Sequence, residues 1–466
     1  MMKLSTAAAV LKAQFIGQDA IFTSVNSDSR NVSAGELFVA LKGEHFDGHS
    51  FAGQAIKEGA VAALVSQASG VSQALVVPDT LKALGELAGY WRSQFAIPLA
   101  AITGSNGKTT VKEMLSSIAK AAVTAEEKVL ATVGNLNNHI GMPMTLLKLR
   151  AQHQFAIIEM GMNHTGEISY LSNIAKPNVA LINNAGNAHI GELGSFEAIA
   201  HAKGEIFEGL TNDGIAVINV DDVFAPLWKS LVADKKIVTF GLKKSADVSA
   251  TYELQANASD LKVTAPNGSF SVLLPTPGLH NVMNALAATA TAIAMDIPLE
   301  SIQQGLQSYG GVVGRLQHLK GLNGALVIND CYNANPMSMK VAIDVLMAKT
   351  GKKILVLGDM GELGDKTVEH HAEIGAYAQA AGIDALFTLG TLSVGMSKAF
   401  NKNAGLNNTT QTAAHYLAPQ SLIADLVKQM NPDSNVLVKG SRFMAMERIV
   451  KEIYIDDGAQ QNKGVH

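Results

Sequence analysis

Cysteine is nearly absent from this chain, and its scarcity limits where the protein works. The 466 residues include one cysteine, Cys331, so no disulfide can form within the chain. Proteins of oxidising compartments often rely on disulfides, whereas a lone thiol is typical of a reducing compartment. The alanine-rich stretch near the N-terminus is interrupted by Lys12 and Gln14, which makes it a poor signal-peptide core. We therefore expect a cytoplasmic protein.

Long apolar runs and an excess of either charge are missing as well. No segment approaches ~18 uninterrupted apolar residues, the length that a membrane-crossing helix needs, so we expect no membrane span. A net charge of −4 lacks the basic excess of nucleic-acid-binding proteins, and we expect no nucleic-acid partner. With 47% apolar and 16% charged residues, the composition is that of a globular protein. We expect it to be a monomer.

The length predicts about three domains. Buried strand patterns alternate with helical patterns, which indicates an α/β fold with parallel sheets. We expect a small N-terminal α/β domain over residues 1–96, a central parallel-sheet domain over 97–313, and a doubly wound, Rossmann-like domain over 314–456. Residues 457–466 are polar and contain glycine, and we expect this tail to be disordered.

A glycine-bearing turn follows the apolar run 98–102 and precedes a helical pattern over 111–119. Strand, turn and helix in this order are the setting of a phosphate-binding loop (P-loop), in which backbone N–H groups and a helix N-terminus face an anion. A lysine adds a full positive charge, and a threonine hydroxyl can bind Mg²⁺. We predict that a nucleoside triphosphate binds through Gly104, Ser105, Asn106, Gly107, Lys108, Thr109 and Thr110.

One position departs from the usual phosphate-loop pattern, Gly-x-x-x-x-Gly-Lys. Ile102 stands where the first glycine is expected. The alternative is a tight turn between strand and helix, with Lys108 as an ordinary surface residue. A second glycine series, Gly358, Gly361 and Gly364, lacks the Gly-x-Gly opening of a dinucleotide site. We expect no nucleotide at that second series.

Polar side chains follow two further buried strand patterns of the central region. Glu159 closes the pattern 155–159, and His189 comes a few residues after the pattern 179–182. Ligands of parallel α/β sheets gather at the carboxyl ends of the strands, so both should lie at the edge that carries the phosphate loop. Glu159 is a candidate Mg²⁺ ligand. A solvated carboxylate at a strand end is the alternative for Glu159, and a structural histidine is the alternative for His189.

Two predicted helices carry further candidates. Ser195 is a candidate N-cap of the helix 195–207, and Lys203 lies in the last half of this helix, where lysines are commonly solvated. Asn281 and Asn284 are three residues apart at the start of another helix and are therefore neighbours on one face. Their amides suit the edge of a purine, although asparagines in a first turn also serve as caps.

Taken together, these segments resemble the Mur ligases, ATP-dependent enzymes that form amide bonds in bacterial cell-wall precursors. The resemblance covers nearly the whole chain. Met162 departs from it, because a small residue is expected there. The segments that carry the resemblance are 103–110, Ile158-Glu159, Asn183-Asn184 with His189, Gly314-Arg315, 134–138, 159–168, 202–207 and 358–364.

The resemblance implies three domains and a reaction in which ATP phosphorylates a carboxylate and an amine then attacks the acyl phosphate. It is strongest to the members that join D-alanyl-D-alanine to UDP-N-acetylmuramoyl-tripeptide, so these two molecules are the implied substrates. ATP and two Mg²⁺ ions are the implied cofactors. Such a reaction needs charge neutralisation and positioning more than covalent help from the protein.

Roles for individual residues are implied by the same resemblance. Lys108 would hold the β- and γ-phosphates, with one Mg²⁺ on Thr109 and Glu159 and a second Mg²⁺ on His189. For Lys203 two roles stay open. It would either be carbamylated by CO₂ and help to hold the second ion, or contact the acyl phosphate as an ammonium. Arg315 would reach over the phosphates from the third domain.

The remaining implied roles concern recognition of the substrates. Asp330 would contact the ribose or orient the incoming amine, and Asn281 and Asn284 would hold the adenine. The implied contacts of the precursor and the dipeptide are Ser29, Arg30, Asp47 and Gly48 for the UDP end, Asn135 and Asn138 for the sugar or peptide, and Asn333 and Asn335 for D-alanyl-D-alanine.

Rival hypotheses of two classes remain at this point. Another enzyme of the same fold could add a different amino acid, or add glutamates to folate. A P-loop switch protein, which is not an enzyme, would explain Lys108 and Thr109 but not the joint presence of Glu159, His189 and Arg315. Phosphate release that requires both an amine and a peptidyl acceptor separates a ligase from a switch.

Overall fold

The computed structural model describes residues 1–43, 46–67, 70–186, 193–232, 234–407 and 410–455. The predictions for His189 and for the tail 457–466 lie outside these ranges. The described residues form five sheets, and three of these sheets are mainly parallel. The predicted α/β class is confirmed. Within the same ranges no helix is both long and apolar enough to cross a membrane.

The N-terminal unit is a five-stranded sheet in the order β2-β7-β6-β5-β4, with β2 antiparallel and the others parallel. A two-stranded antiparallel pair, β1 with β3, lies beside the first helix. The strands are β1 (Met2–Lys3), β2 (Gln14–Ile16), β3 (Ile21–Phe22), β4 (Ser24–Asn26), β5 (Glu36–Val39), β6 (Ala62–Val65) and β7 (Ala74–Val76). The helices are α1 (Leu4–Leu11), α2 (Ala52–Lys57) and α3 (Thr80–Ser93).

The central unit is built on a six-stranded parallel sheet, in the order β13-β12-β11-β8-β10-β9. Its strands are β8 (Leu99–Thr103), β9 (Val129–Ala131), β10 (Phe155–Glu159), β11 (Val179–Ile182), β12 (Ile215–Asn219) and β13 (Lys236–Phe240). They read as near-continuous apolar runs because helices cover both faces of the sheet. Since β8 lies between β10 and β11, the carboxyl ends of these three strands meet at one edge.

Helices and a small antiparallel sheet surround this central sheet. The helices are α4 (Lys108–Ala121), α5 (Gly141–Leu146), α6 (Glu167–Ala175), α7 (Phe196–Gly204), α8 (Ala225–Leu231), α9 (Leu279–Ala294) and α10 (Leu299–Gln307). The small sheet consists of β14 (Ser249–Leu254), β15 (Ser259–Ala265) and β16 (Gly268–Leu274). Residues of β15 alternate strictly between buried and exposed, as expected for a strand with one face on the core. Short alternating strand patterns up to Ser271 predict such an antiparallel extension from the sequence, and the structure confirms it.

The C-terminal unit is a second six-stranded sheet, in the order β17-β18-β22-β19-β20-β21, in which only β17 is antiparallel. The strands are β17 (Gln317–Lys320), β18 (Leu326–Asp330), β19 (Lys352–Gly358), β20 (Ala385–Leu389), β21 (Thr412–Tyr416) and β22 (Ser434–Lys439). The helices are α11 (Pro336–Met347), α12 (Thr367–Ala381), α13 (Val394–Leu406), α14 (Pro419–Gln429) and α15 (Glu447–Ile453). Separate apolar clusters cover its two faces, which is the predicted doubly wound arrangement.

The two outer units contact the central unit in different ways. One continuous apolar cluster includes residues of α1 and α3 and residues of α5, α6 and α7. Trp91 Nε1 and Arg92 Nε also donate hydrogen bonds across this contact, each over 3.1 Å, to the carbonyls of Leu149 and Ala175. Among the described residues, the C-terminal unit is joined to the central one by side-chain hydrogen bonds such as Lys349 Nζ to Asn257 Oδ1, 2.8 Å, which act as polar tethers. Polar interfaces of this kind permit domain motion more readily than apolar ones.

The domain boundaries predicted from the sequence fall in the connections between these units. The 96/97 boundary lies between α3 and β8, and the 313/314 boundary lies between α10 and β17. We keep these boundaries as a proposal.

Close packing of α10 on α4 leads to a prediction about stability. A Cβ added to Gly305 of α10 would lie 2.3 Å from Ile118 Cα and 2.6 Å from Ile118 N, both backbone atoms of α4. We expect Gly305→Ala to force the helices apart and to lower the free energy of unfolding by about 1–3 kcal/mol. Thermal unfolding followed by circular dichroism would show a lower Tm.

A matched control is available in α2. A Cβ at Gly53 would meet nothing within 4 Å, so Gly53→Ala should leave Tm unchanged or raise it, since alanine favours a helix interior. Equal Tm values for the two variants would contradict the close α4–α10 contact.

Candidate nucleotide and catalytic site

The predicted phosphate loop connects β8 to α4, and its shape requires a glycine. Gly107, the N-cap of α4, has φ +80°, in the left-handed region. A Cβ at this position would lie 2.4 Å from Asn284 Oδ1 and 2.6 Å from Asn183 Nδ2. Any other residue would therefore meet both a strained backbone and two buried amides. Ile102, at the departure from the usual pattern, is a buried core residue of β8.

Amide side chains from β11 and α9 hold the loop in place. Asn183 Nδ2 and Asn184 Nδ2 each donate to the carbonyl of Asn106 over 3.0 Å, and Asn106 N donates to Asn184 Oδ1 over 2.9 Å. Asn183 Nδ2 also donates to Asn284 Oδ1, 3.0 Å. These groups fix the loop without adding charge, which leaves its charge to Lys108 and the helix N-terminus.

The side chain of Lys108 turns back towards the phosphate loop. Its Nζ donates to the carbonyl of Gly104 over 2.6 Å. Burial lowers the pKa of Lys108 below its ordinary value, the nearby carboxylate of Glu159 acts in the opposite direction, and Arg315 adds to the lowering. The alternative of an ordinary surface lysine is wrong, because the ammonium lies among buried charges.

Glu159 ends β10 directly beside the loop, paired in register with Ile102 of β8. It is 1% exposed, so the alternative of a solvated strand-end carboxylate is wrong. Asn137 Nδ2 donates to Glu159 Oε1 over 2.7 Å, while Glu159 Oε2 is buried with no hydrogen-bond partner among the described residues. A buried carboxylate oxygen without a partner costs several kcal/mol, so it fits a site made for a cation.

Lys203 lies on α7 and is 1% exposed. Ser195 is the N-cap of this helix, as predicted, with its Oγ accepting from Ala198 N over 3.1 Å. Burial, and then the positive charge of Lys108, lower the pKa of Lys203 well below its ordinary value. The common case of a solvated helix lysine does not apply here. The neutral amine, which is the form that reacts with CO₂, is favoured by this environment.

Arg315 reaches from the C-terminal unit onto the loop. Its Nη2 donates to Thr109 Oγ1 over 2.8 Å, and its guanidinium lies 4.1 Å from the centre of the Tyr332 ring. Arg315 Nε is buried without a hydrogen-bond partner in the described part of the chain. Asp330, predicted for the same junction, forms a buried ion pair with Lys439, 2.6 Å, which the sequence alone did not suggest.

A cleft of about 610 Å³ runs from the loop to the junction of the central and C-terminal units. Of the predicted residues, Asn106, Gly107, Thr110, Asn281, Asn284, Arg315 and Asp330 line it. Asn284 Oδ1 already accepts from Asn183 Nδ2 over 3.0 Å, whereas Asn281 donates to the carbonyl of Pro277 over 2.9 Å and borders the cleft. His280 and His318 also line the cleft and were missed from the sequence, because single histidines carry no motif.

The four asparagines predicted to contact the substrates have different local contacts. Asn138 Oδ1 accepts from the backbone N–H groups of Ile140 and Gly141, at the start of α5, and Asn135 is exposed. Asn335 caps α11 and donates from Nδ2 to Asn106 Oδ1 over 2.9 Å, which links the C-terminal unit to the loop.

Asn333 Oδ1 accepts from the backbone N–H groups of Ala334 and Arg442. No described ligand tests these four roles, and they stay predictions.

The residues predicted for the UDP end lie in the N-terminal unit, and their described contacts stay there. Arg30 forms a bidentate pair with Asp28, with both distances 2.8 Å, and its side chain is exposed. Asp47 Oδ1 accepts from His49 N and contacts His49 Nδ1 over 2.6 Å. A Cβ at Gly48 would lie 2.7 Å from the carbonyl of Leu41, so the turn permits only glycine.

In the second glycine series, the carboxylate of Asp359, next to Gly358, is bound by backbone N–H groups. Asp359 accepts hydrogen bonds from the backbone N–H groups of Thr391, Leu392 and Ser393, just before α13. Its carboxylate therefore occupies the place at a helix N-terminus where a nucleotide phosphate would bind. The expectation that no nucleotide binds there stays a prediction.

Comparison with known proteins shows likeness over nearly the full length. Three family models match in succession: Mur ligase family, catalytic domain over residues 21–92; Mur ligase middle domain over 102–292; and Mur ligase, glutamate ligase domain over 314–442. The UDP-N-acetylmuramoyl-tripeptide–D-alanyl-D-alanine ligase of Escherichia coli (strain K12) is 39% identical over 456 residues, 97% of this chain and 98% of that protein.

Solved structures show the same likeness in three dimensions. A crystal structure of MurF from Acinetobacter baumannii superposes with a TM-score of 0.87 at 36% identity, covering 96% of this chain and 97% of that one. MurF ligase from Thermotoga maritima in complex with ADP superposes with a TM-score of 0.80 at 26% identity, covering 92% and 96%. The three-domain architecture is therefore that of these proteins.

A partly buried histidine of the cleft, His280, predicts how stability depends on pH. Burial lowers the pKa of His280 from 6.5 to about 4. The negative charge of Asp330 acts in the opposite direction, and the positive charge of Lys439 adds to the lowering. Between these values the unfolded chain binds a proton that the folded chain does not, so stability is lost as the pH falls from about 6.5 towards about 4. Between pH 7 and pH 5, we expect the free energy of unfolding of His280→Asn to fall by about 1–2 kcal/mol less than that of wild type.

Urea unfolding of the ligand-free protein at both pH values would measure this difference. His164→Asn, at an exposed position, is the control and should follow wild type. Identical pH dependence in wild type and His280→Asn would contradict a buried neutral imidazole.

Proposed function

This chain belongs to the Mur ligase family, and from that premise we propose that it joins D-alanyl-D-alanine to the peptide carboxylate of UDP-N-acetylmuramoyl-tripeptide, consuming ATP. The observation that carries the proposal is the convergence of Lys108, Glu159, Lys203 and Arg315 around one loop. A nucleotide switch needs the loop alone. A ligase must also neutralise a second anion, the carboxylate of the acceptor, and the additional buried lysine and the arginine suit that task.

ATP is the nucleotide that we assign to the cleft. The loop at one end supplies backbone N–H groups and Lys108 for the phosphates, and Asn281 borders the space at the other end, where a base would lie. The complex of the Thermotoga maritima relative with ADP supports this assignment. Asp330 borders the same cleft, although its pairing with Lys439 leaves only part of its carboxylate for a ribose.

We infer the following order of bond changes. The peptide carboxylate of the precursor attacks the γ-phosphorus of ATP, which forms an acyl phosphate and releases ADP. The amine of D-alanyl-D-alanine then attacks the acyl carbon and gives a tetrahedral intermediate. This intermediate loses phosphate, and the amine loses a proton, to leave the new amide. Lys108 and Arg315 would offset the charge that accumulates on the transferring group.

Mg²⁺ fits the residues beside the loop. The unpartnered Oε2 of Glu159 and the hydroxyl of Thr109 are oxygen ligands of the kind that Mg²⁺ prefers, and Mg²⁺ sites commonly combine one or two carboxylates with substrate phosphates. No cluster of three or more acidic, histidine or cysteine side chains suited to a metal occurs among the residues the structure describes. When bound, Mg²⁺ would neutralise phosphate charge. A second ion, with His189 and Lys203, remains part of the proposal.

Substrate access would depend on the C-terminal unit. In the structure, Arg315 and Asn335 bond to Thr109 and Asn106 of the loop, so the two units are in contact at the site. We propose that the polar tethers open to admit ligands and close for reaction. The precursor would lie between Ser29, Arg30, Asp47 and Gly48 at its UDP end and Asn135 and Asn138 nearer the loop, with D-alanyl-D-alanine near Asn333 and Asn335.

A cytoplasmic location and a monomeric state complete the proposal. The buried free thiol of Cys331 supports a reducing compartment. The alternative functions are a Mur-type ligase for another amino acid and a folylpolyglutamate-type ligase. The full-length likeness to the Escherichia coli ligase favours the D-alanyl-D-alanine reaction over both.

The experiment that tests the proposal is a turnover assay with a panel of UDP-muramyl peptides, folates and amines. We expect phosphate release only when UDP-N-acetylmuramoyl-tripeptide and D-alanyl-D-alanine are both present. Lys108→Ala removes a charge from the transferring phosphoryl group and should lower turnover by at least ~10³-fold. Lys229→Ala, at an exposed position of α8, should keep full activity. A rate above a tenth of wild type for Lys108→Ala would refute the assignment of the loop.

Lys203 allows the two open roles to be separated by chemical rescue. Lys203→Ala should be nearly inactive, because the lysine is buried beside Lys108. Acetate should restore part of the activity if a carbamate was lost, whereas alkylamines should do so if the ammonium is the working group. Activity close to wild type without any additive would remove Lys203 from the site.

A further inference from the structure

The three asparagine side chains of the loop 133–138 have different contacts. Asn138 Oδ1 accepts from the N–H groups of Ile140 and Gly141 at the start of α5, and Asn135 is exposed. Asn137, which the sequence analysis did not select, is the member that contacts the catalytic edge, because its Nδ2 donates to Glu159 Oε1 over 2.7 Å. The three residues therefore cannot be treated as one substrate-binding set.

The position of Asn137 is fixed from several directions. Its carbonyl accepts a hydrogen bond from Gly161 N over 2.9 Å, and its own N–H donates to the carbonyl of Asn135 over 2.7 Å. A Cβ at Gly161 would lie 2.9 Å from Asn137 Oδ1, and a Cβ at Gly141 would lie 2.5 Å from Leu136 Cα. Two glycines thus let the loop approach both the end of β10 and the start of α5, and the amide has little freedom to turn away.

The backbone of Glu159 is held by Thr132. Its N–H donates to Thr132 Oγ1 over 3.0 Å, and Thr132 N donates to the carbonyl of Ile157 over 3.0 Å. The carboxylate therefore has one oxygen engaged by Asn137 and one oxygen buried without a partner. The amide donor engages one oxygen, so it determines which oxygen of the carboxylate is left without a protein partner and available to a cation.

We propose that Asn137 is a positioning residue that orients the Glu159 carboxylate, so that Oε2 is presented to the metal–nucleotide complex. Mg²⁺ requires near-octahedral geometry and short metal–oxygen distances, and a carboxylate that turns freely meets this requirement less often. Groups that orient metal ligands typically contribute 10- to 100-fold to metal affinity or activity. The inference rests on the proposed function, because it assumes that Glu159 meets Mg²⁺ and nucleotide.

Calorimetric titration with ADP, in Mg²⁺ or in EDTA, tests the proposal without turnover. For the wild type, Mg²⁺ should strengthen ADP binding. For Asn137→Ala we expect the ratio of ADP affinity in Mg²⁺ to ADP affinity in EDTA to fall by about 10-fold or more. The ADP affinity in EDTA should stay unchanged. Asn137→Asp has the same shape but no N–H donor at neutral pH, so it should lose at least as much. Asn173→Ala, at an exposed amide of α6, should match wild type.

A turnover measurement adds a second readout. The Mg²⁺ concentration for half-maximal rate should rise about 10-fold in Asn137→Ala, while KM for the UDP precursor should stay within about twofold of wild type. Tm of the ligand-free variant should remain near that of wild type, because the backbone hydrogen bonds of the loop are kept.

Three results would overturn the inference. Equal loss of ADP affinity with and without Mg²⁺ would mean that Asn137 supports the loop fold or the nucleotide itself. A raised KM for the precursor with unchanged Mg²⁺ dependence would place Asn137 in the acceptor site. Wild-type behaviour of Asn137→Asp would show that donation to Glu159 is unimportant. If Mg²⁺ has no effect on ADP binding to the wild type, the proposed function itself fails.

Discussion

The site depends on charges that are buried before any ligand arrives. The positive charge of Lys108 adds to the burial that lowers the pKa of Lys203, and Glu159 is buried near Lys108 with one oxygen unpartnered among the described residues. Buried charges are costly unless they are paired, so this cluster is stabilised when anionic phosphates and a cation join it. The ligand-free protein holds an incomplete set of charges, and binding of the metal–nucleotide complex would complete it.

Uncharged amide side chains hold the phosphate loop and Glu159 in position around this cluster. Asn183, Asn184 and Asn284 hold the phosphate loop, and Asn137 holds Glu159, without adding to the electrostatic imbalance. Side-chain amides donate and accept at once, so a few of them can fix both the backbone and a carboxylate. The rigid sheet edge supplies the frame, since β10 and β11 flank β8 and all three end at the site.

The two outer units contact the central unit through different kinds of interaction. The N-terminal unit shares an apolar cluster with the central unit, so separating the two would expose apolar surface. The C-terminal unit brings Arg315 to the loop through polar contacts, which water can replace at low cost. The proposed binding face for the precursor on one side, and the proposed movement of Arg315 on the other, would suit a reaction that admits its substrates and then excludes water.

The sequence by itself determined what depends on neighbours along the chain. Local patterns predicted the buried strands, the phosphate loop before α4, the Ser195 cap and the antiparallel extension, because periodicity and turn chemistry are short-range properties. They also put Glu159 at a strand end. Resemblance over the whole chain supplied the family, which periodicity cannot.

Only the tertiary structure decided which polar residues meet. Lys203 has the sequence signature of a solvated helix lysine, yet packing of α7 buries it beside Lys108. Asn137 and Asn138 are adjacent, but one donates to Glu159 and the other accepts from the backbone at the start of α5. The pairing of Asp330 with Lys439 joins residues 109 apart in sequence. Such contacts depend on how strands and helices assemble in space, and no local pattern encodes a distance between residues so far apart along the chain.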